Sequence, residues 1–136
     1  LKARYGELGK GMLDMLGIDR ADKGARNQLY ARMADFFGAP CLVVACISRE
    51  SLVEYAMLDV GLVVQTICLL AHGKGLGTCI MAAAARYPDR LRKIASIPDD
   101  RRIVVAIALG HADPDYPLNC FERKRAELRE IVHWVD

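Results

Sequence analysis

Residues 59–81 read DVGLVVQTICLLAHGKGLGTCIM, and the fold turns on what this stretch becomes. From Val60 to Ala71 only Gly61, Gln65 and Thr66 interrupt the apolar residues. A helix apolar on every face belongs in a core or at a subunit interface. Ser51 and Glu54 stand at capping-box spacing at its expected start. Gly73 stands where a helix would end in a left-handed residue. Gly75 and Gly77 then flank Leu76, and Thr78–Met81 is expected as a short buried strand. The glycine-rich HGKGLGT has the composition of a phosphate loop but not the order. Such loops run strand, glycines, helix, so that the helix N-terminus meets the phosphate. Here the glycines follow a helix. On spacing alone, a core helix and an ordinary turn remain an equally complete account.

Composition narrows the remainder. A chain of 136 residues is expected to form a single domain, 1–136, with a real core. A formal charge of +2, with no dense Lys/Arg run on one expected face, gives no case for nucleic acid. The five cysteines (Cys41, Cys46, Cys68, Cys79 and Cys120) are odd in number and lack CxxC spacing. They predict a reduced, cytoplasmic setting rather than a disulfide framework. His72, His111 and His133 have no metal-ligand spacing to a cysteine or carboxylate. The N-terminus carries no apolar signal-type segment. The apolar run 60–71, bounded by Asp59 and Lys74, is too short to predict a membrane span.

Outward from the central stretch, residues 3–17 read as an amphipathic helix through Tyr5, Leu8, Met12 and Leu16, closed by Gly17. Residues 22–37 read as a second helix capped by Asp22. Its expected apolar face is Leu29, Tyr30, Met33, Phe36 and Phe37, and Gly38 and Pro40 stop it. Two continuous apolar runs, 41–47 (CLVVACI) and 102–109 (RIVVAIAL), predict strands buried on both faces. Pro88 suits the first turn of a short helix to Ile94 or Ala95. After Gly110 comes a polar, proline-rich loop, then the basic cluster Arg123-Lys124-Arg125, then a short helix or extended tail. Element order alone supports an α+β or α/β layered fold.

Four segments in this order carry a resemblance over residues 36–134. Phe36-Phe37-Gly38-Ala39-Pro40 leads into a strand, and Asp59-x-Gly61 opens the long helix with Gln65 and Leu69-Leu70-Ala71. Gly75-Leu76-Gly77-Thr78-Cys79 follows it. Ile97-Pro98 leads to Ala108-Leu109-Gly110, Asn119, the basic cluster and the tail. Together they resemble the C-terminal two-thirds of the FMN-dependent nitroreductase superfamily. That family's Arg-Arg-Ser-x-Arg segment and the Ala-Pro-Ser…Asn segment after it have no counterpart here. The chain is therefore expected to lack the N-terminal part of its domain.

The resemblance implies an α+β fold of three layers, a central mixed or antiparallel sheet flanked by helices. It implies an intertwined homodimer with the long buried helix at the interface and FMN between the subunits. The backbone at Met81, Ala82 and Ala83 would lie against the flavin ring near N5, and Arg123 and Arg125 would reach the FMN phosphate. Arginine forks suit a phosphate, and residues two apart in an extended segment share a side. Without the resemblance, 123–125 would read as a solvated charge run. The implied activity passes reducing equivalents from NAD(P)H through FMN to a small-molecule acceptor such as a nitroaromatic or quinone. The cofactor then carries the chemistry, consistent with a sequence that offers no acid–base or nucleophile constellation. The alternatives are a non-catalytic flavin-holding or dimerisation module, or related flavin chemistry such as dehalogenation.

Overall fold

The computed structural model describes residues 2–82, 85, 87–120 and 125–135. They form two compact units: Asp22–Ala112, and Leu1–Ala21 together with Asp113–Asp136.

The larger unit is built on a three-stranded antiparallel sheet, β1 (Cys41–Ser48), β3 (Arg101–Gly110) and β2 (Gly77–Met81), in the order β1-β3-β2. The run RIVVAIAL takes the centre, where both faces are covered, and buries Ile103, Ala106, Ile107 and Ala108. The two outer strands are less covered than their apolar sequences predict. β1 fully buries Ile47 alone, and β2 buries Met81 while leaving Cys79 and Ile80 exposed. β1, expected to be buried on both faces, and β2, expected to be a buried strand, are each an edge of the described sheet and only partly covered.

Between Ala45 and Cys46 the register with β3 shifts: Ala45 pairs Val105 and Cys46 pairs Ile103, leaving Val104 as the extra residue of a bulge. The bulge changes the phase of β3, so Ile103 joins Ala106 on one face although they are three residues apart. That face meets Leu91 of α4 (Pro88–Ala95), with Phe36, Leu42, Val44, Cys46 and Ile97 packed around it. Pro88 opens α4 at the first turn as expected, and Ser96 ends it in the left-handed region at φ 50°.

The long helix α3 (Val53–Gly73) covers 21 residues and contacts all three strands. Its ends differ from the sequence reading. The N-cap is Leu52, without a side-chain cap bond, so Ser51 and Glu54 form no capping box. Glu54 instead lies in the first turn, where a carboxylate favours the helix dipole. At the other end Gly73 is still helical. The left-handed residue is Gly75 (φ 74°), whose N–H donates to His72 O while Leu76 N–H donates to Ala71 O. That pair of bonds is the Schellman termination, and it needs glycine two positions later than the sequence suggested. The helix is also longer than the 60–71 run. By length and composition it would cross a bilayer, but both of its ends return to strands of one sheet.

Within the chain α3 buries Val64 and Ala71 and little else. Tyr55, Leu58, Leu62 and Leu69 are 61–70% exposed. Among the described residues, then, this helix is less covered than its apolar sequence predicts.

α2 (Lys23–Ala34) is capped as predicted, Ala25 N–H donating to Asp22 Oδ1 at 2.9 Å. It ends before the two phenylalanines. Phe36, Phe37 and Gly38 turn through three successive left-handed residues (φ 50°, 56° and 71°). Phe36 thereby leaves the helix face and reaches the sheet core. Of the expected apolar face, Leu29 is buried and Tyr30 is exposed.

In the smaller unit, α1 (Lys2–Met15) closes at Gly17 (φ 63°), with Gly17 N–H to Asp14 O and Ile18 N–H to Leu13 O. α5 (Leu128–Ile131) is one turn held by a reciprocal Glu127–Glu130 capping box.

Candidate functional site

The turn after α3 aims β2. Gly75 supplies the positive φ and Gly77 supplies room: a Cβ on Gly77 would sit 3.0 Å from Ala112 Cβ. The atom that demands this room is Ala112 Cβ, just beyond the end of β3. Gly110 is tighter still, since a Cβ there would meet Pro40 Cδ at 2.7 Å. These glycines bring the starts of β1 and β2 and the end of β3 together.

β2 then pairs with β3 from Gly77↔Gly110 to Met81↔Ala106. Met81 is buried at the last pair, and Ala82 emerges exposed at the edge of the sheet. Ala83 and Arg123 lie outside the described residues, as does Lys124. Arg125 is described and exposed, just before α5, and no ion pair holds it among the described residues. Met81 and Ala82 belong to the unit Asp22–Ala112, Arg125 to the other.

Two further features went unseen in the sequence. Arg92 of α4 donates to the carbonyls of Pro98 and Arg101 and stands 4.0 Å from the Asp99 carboxylate. Arg49, after β1, reaches the same turn through Nε to Asp99 O at 2.8 Å and N–H to Asp100 O at 2.9 Å. The Ile97-Pro98-Asp99-Asp100 turn is thus held from two elements, which fixes where β3 begins. No local pattern marks Arg49, because its partner is 50 residues away. The second feature is a cleft of about 470 Å³ between β1 and α3, lined by Ala45, Cys46, Ile47, Asp59, Val60 and Val63 among others. Burial pushes the Cys46 thiol above its usual range, against the pull of Arg92 and Arg101. Cys46 packs against the core around Leu91 and Ile103. Among the described residues no group of His, Cys, Asp and Glu could hold a metal ion.

A family model described as the nitroreductase family matches residues 7–111. The chain belongs to the nitroreductase family. It is 31% identical over 132 residues to a 4-nitrobenzoate reductase of Pseudomonas putida, covering 97% of this chain and 56% of that protein. It is 34% identical over 131 residues to a nitrobenzene nitroreductase of Ectopseudomonas oleovorans, covering 96% and 55%. Among solved structures it is similar to the FMN and NADPH-dependent nitroreductase NfnB of sphigopyxis sp. strain HMH. That match has a TM-score of 0.91 and 29% identity over 99% of this chain and 60% of the other. The NfnB of Mycobacterium smegmatis, in complex with NADPH, superposes with a TM-score of 0.93 at 24% identity and supports the fold. The chain spans little more than half the length of the curated relatives it matches.

Proposed function

We propose that the protein is a flavoprotein oxidoreductase that uses FMN to pass reducing equivalents from NAD(P)H to a nitroaromatic, quinone or similar acceptor. The observation that carries this reading is the family match, which spans the long helix, the glycine turn and β2–β3 as one continuous block. Relatives along the same block reduce nitroaromatics by name.

The described residues suit FMN in two respects. Ala82 leaves an unobstructed backbone at the sheet edge for a planar ring. Arg125 offers an exposed guanidinium for a phosphate, to which it can present paired N–H donors. Met81, Ala82 and Ala83 would hold the ring, and Arg123 and Arg125 the phosphate. Bound FMN would supply two-electron transfer between the nicotinamide and the acceptor. The chain's part is binding and orientation: Met81, fixed in the last β2–β3 pair, anchors the backbone that follows it.

The native form in this reading is a homodimer, supported by the apolar face that α3 leaves exposed. A reducing, cytoplasmic setting is supported by five free cysteines. The test is anaerobic. The protein supplied with FMN should bleach at the flavin band on adding NADPH or NADH and recover it on adding 4-nitrobenzoate. Failure to bleach with either nucleotide would overturn the oxidoreductase reading.

A further inference from the structure

Within α2 only Ala25, Arg26, Leu29 and Met33 are shielded from full exposure, and they share one face at helical spacing. Three of them are apolar and the fourth carries a guanidinium. Arg26 Nε is shut off from solvent and has no hydrogen-bond partner among the described residues. A buried donor without a partner loses its hydration and gains nothing in return, so a native chain keeps few of them. No carboxylate relieves it. α2 carries Lys23, Arg26 and Arg32 and has no Asp or Glu of its own. Asp22, one turn before Arg26, receives the Ala25 N–H on Oδ1, and among the described residues no ion pair joins it to Arg26. Lys23 and Arg26 also place two cations in the first turn, the end of a helix where the dipole disfavours positive charge. An apolar residue at position 26 would avoid all three costs. Positions where several local rules fail together are where functional groups are found.

We infer that Arg26 anchors an oxyanion of a bound ligand, a carboxylate or a phosphate. Such a group supplies what the position lacks: an acceptor for Nε, a counter-charge on the apolar stripe, and negative charge at the first turn. The guanidinium edge that includes Nε presents two parallel N–H donors, which match the paired oxygens of either group. The site is this side chain and not the helix end, whose N–H groups are engaged: Ala25 N–H with Asp22 Oδ1 and Arg26 N–H with Asp22 O. The fold links the position to the proposed flavin edge. The chain leaves α2 into Phe36, which packs in the cluster that holds Ala106, and Ala106 pairs with Met81. The inference rests on the oxidoreductase reading for the identity of the ligand alone. That reading brings two such groups: a carboxylate on a nitroaromatic acceptor, and the phosphate that distinguishes NADPH from NADH.

The test is binding without turnover, measured by calorimetry on the oxidised full-length protein at saturating FMN. Two matched pairs are compared: 4-nitrobenzoate with nitrobenzene, and NADP+ with NAD+. Arg26→Met keeps an unbranched stem and removes the guanidinium. It should weaken 4-nitrobenzoate or NADP+ about tenfold or more, the loss of a charge-assisted pair, and leave the pair member without that group unchanged. The pair that splits tells the carboxylate from the phosphate. Free of ligand, Arg26→Met should melt at or above the wild-type temperature, because the orphan donor is gone. Equal losses within both pairs, or no loss in either, would overturn the inference, as would a wild type that favours neither 4-nitrobenzoate nor NADP+ over its counterpart. Should Arg26→Met not fold, Arg26→Lys carries the same comparison, since it keeps the charge and loses the fork. Oxidised protein binds these ligands whether or not it transfers electrons, so the result stands apart from the bleaching assay.

Discussion

The two sides of the sheet end in opposite states, and the less apolar helix is the one that closes a core. On the α4 side, Leu91, Ile103 and Ala106 close a core, and Arg92 ties the helix to the turn that starts β3. On the α3 side a longer and more apolar helix buries Val64 and Ala71 and leaves Tyr55, Leu58, Leu62 and Leu69 exposed. Apolar composition does not by itself say where a side chain is buried. Among the described residues the α4 side is closed, whereas the α3 side leaves a broad apolar face exposed.

The sharpest way to break this contrast is a pair of substitutions. Ile107 is fully buried at the centre of β3, and Ile107→Ala should lower unfolding free energy by about 2–5 kcal/mol in urea titration. Leu69→Asp, an equally apolar position on α3, should leave the dilute chain folded and abolish association. If Leu69→Asp unfolds the chain as Ile107→Ala does, α3 is covered within one chain and the contrast fails. Next in size is Arg92→Met, which keeps much of the stem volume but strips two carbonyls of their donor. Hydrogen bonds to a charged group contribute roughly 1.5–3 kcal/mol. The same measurement should show a loss in that range, with the Ile97–Asp100 turn losing amide protection first. The smallest effect runs the other way. Ser96 holds a left-handed conformation at the end of α4, and Ser96→Gly should stabilise by about 0.5–1 kcal/mol. A loss would mean the Ser96 side chain contributes more than its strain.

The layered α+β class and the central strand were legible because RIVVAIAL is a continuous apolar run, and α3 because nothing polar interrupts it for long. Its boundaries were not. Ser51-x-x-Glu54 imitates a capping box, yet the chain enters the helix one residue later. Gly73 looked like the terminator because it comes first, but Schellman geometry selects the glycine at position 75. The fate of Phe36 and Phe37 depended on three left-handed residues in a row, which helical spacing does not announce. The bulge at Val104 and the reach of Arg49 are long-range, and local pattern is silent on both. The edge status of β1 and β2 was hidden for the same reason: which strand takes the centre is a property of pairing. The candidate site rests on family resemblance alone. Met81 and Ala82 carry no chemical signature of their own, and Arg125 alone is indistinguishable from a solvated charge.

Arg125 therefore offers the most direct test of the flavoprotein account. FMN should be titrated into wild type, Arg125→Ala and Lys124→Ala at one fixed salt concentration, following the quenching of flavin fluorescence. Losing a charge-assisted bond to phosphate costs roughly 1.5–3 kcal/mol, so Arg125→Ala should weaken FMN binding about tenfold or more. If residues 123–125 are extended, Lys124 points to the side opposite Arg123 and Arg125, and Lys124→Ala should change little. Equal losses for both would reduce the assignment to a diffuse basic patch. Wild type that binds FMN no better than Arg125→Ala would contradict it.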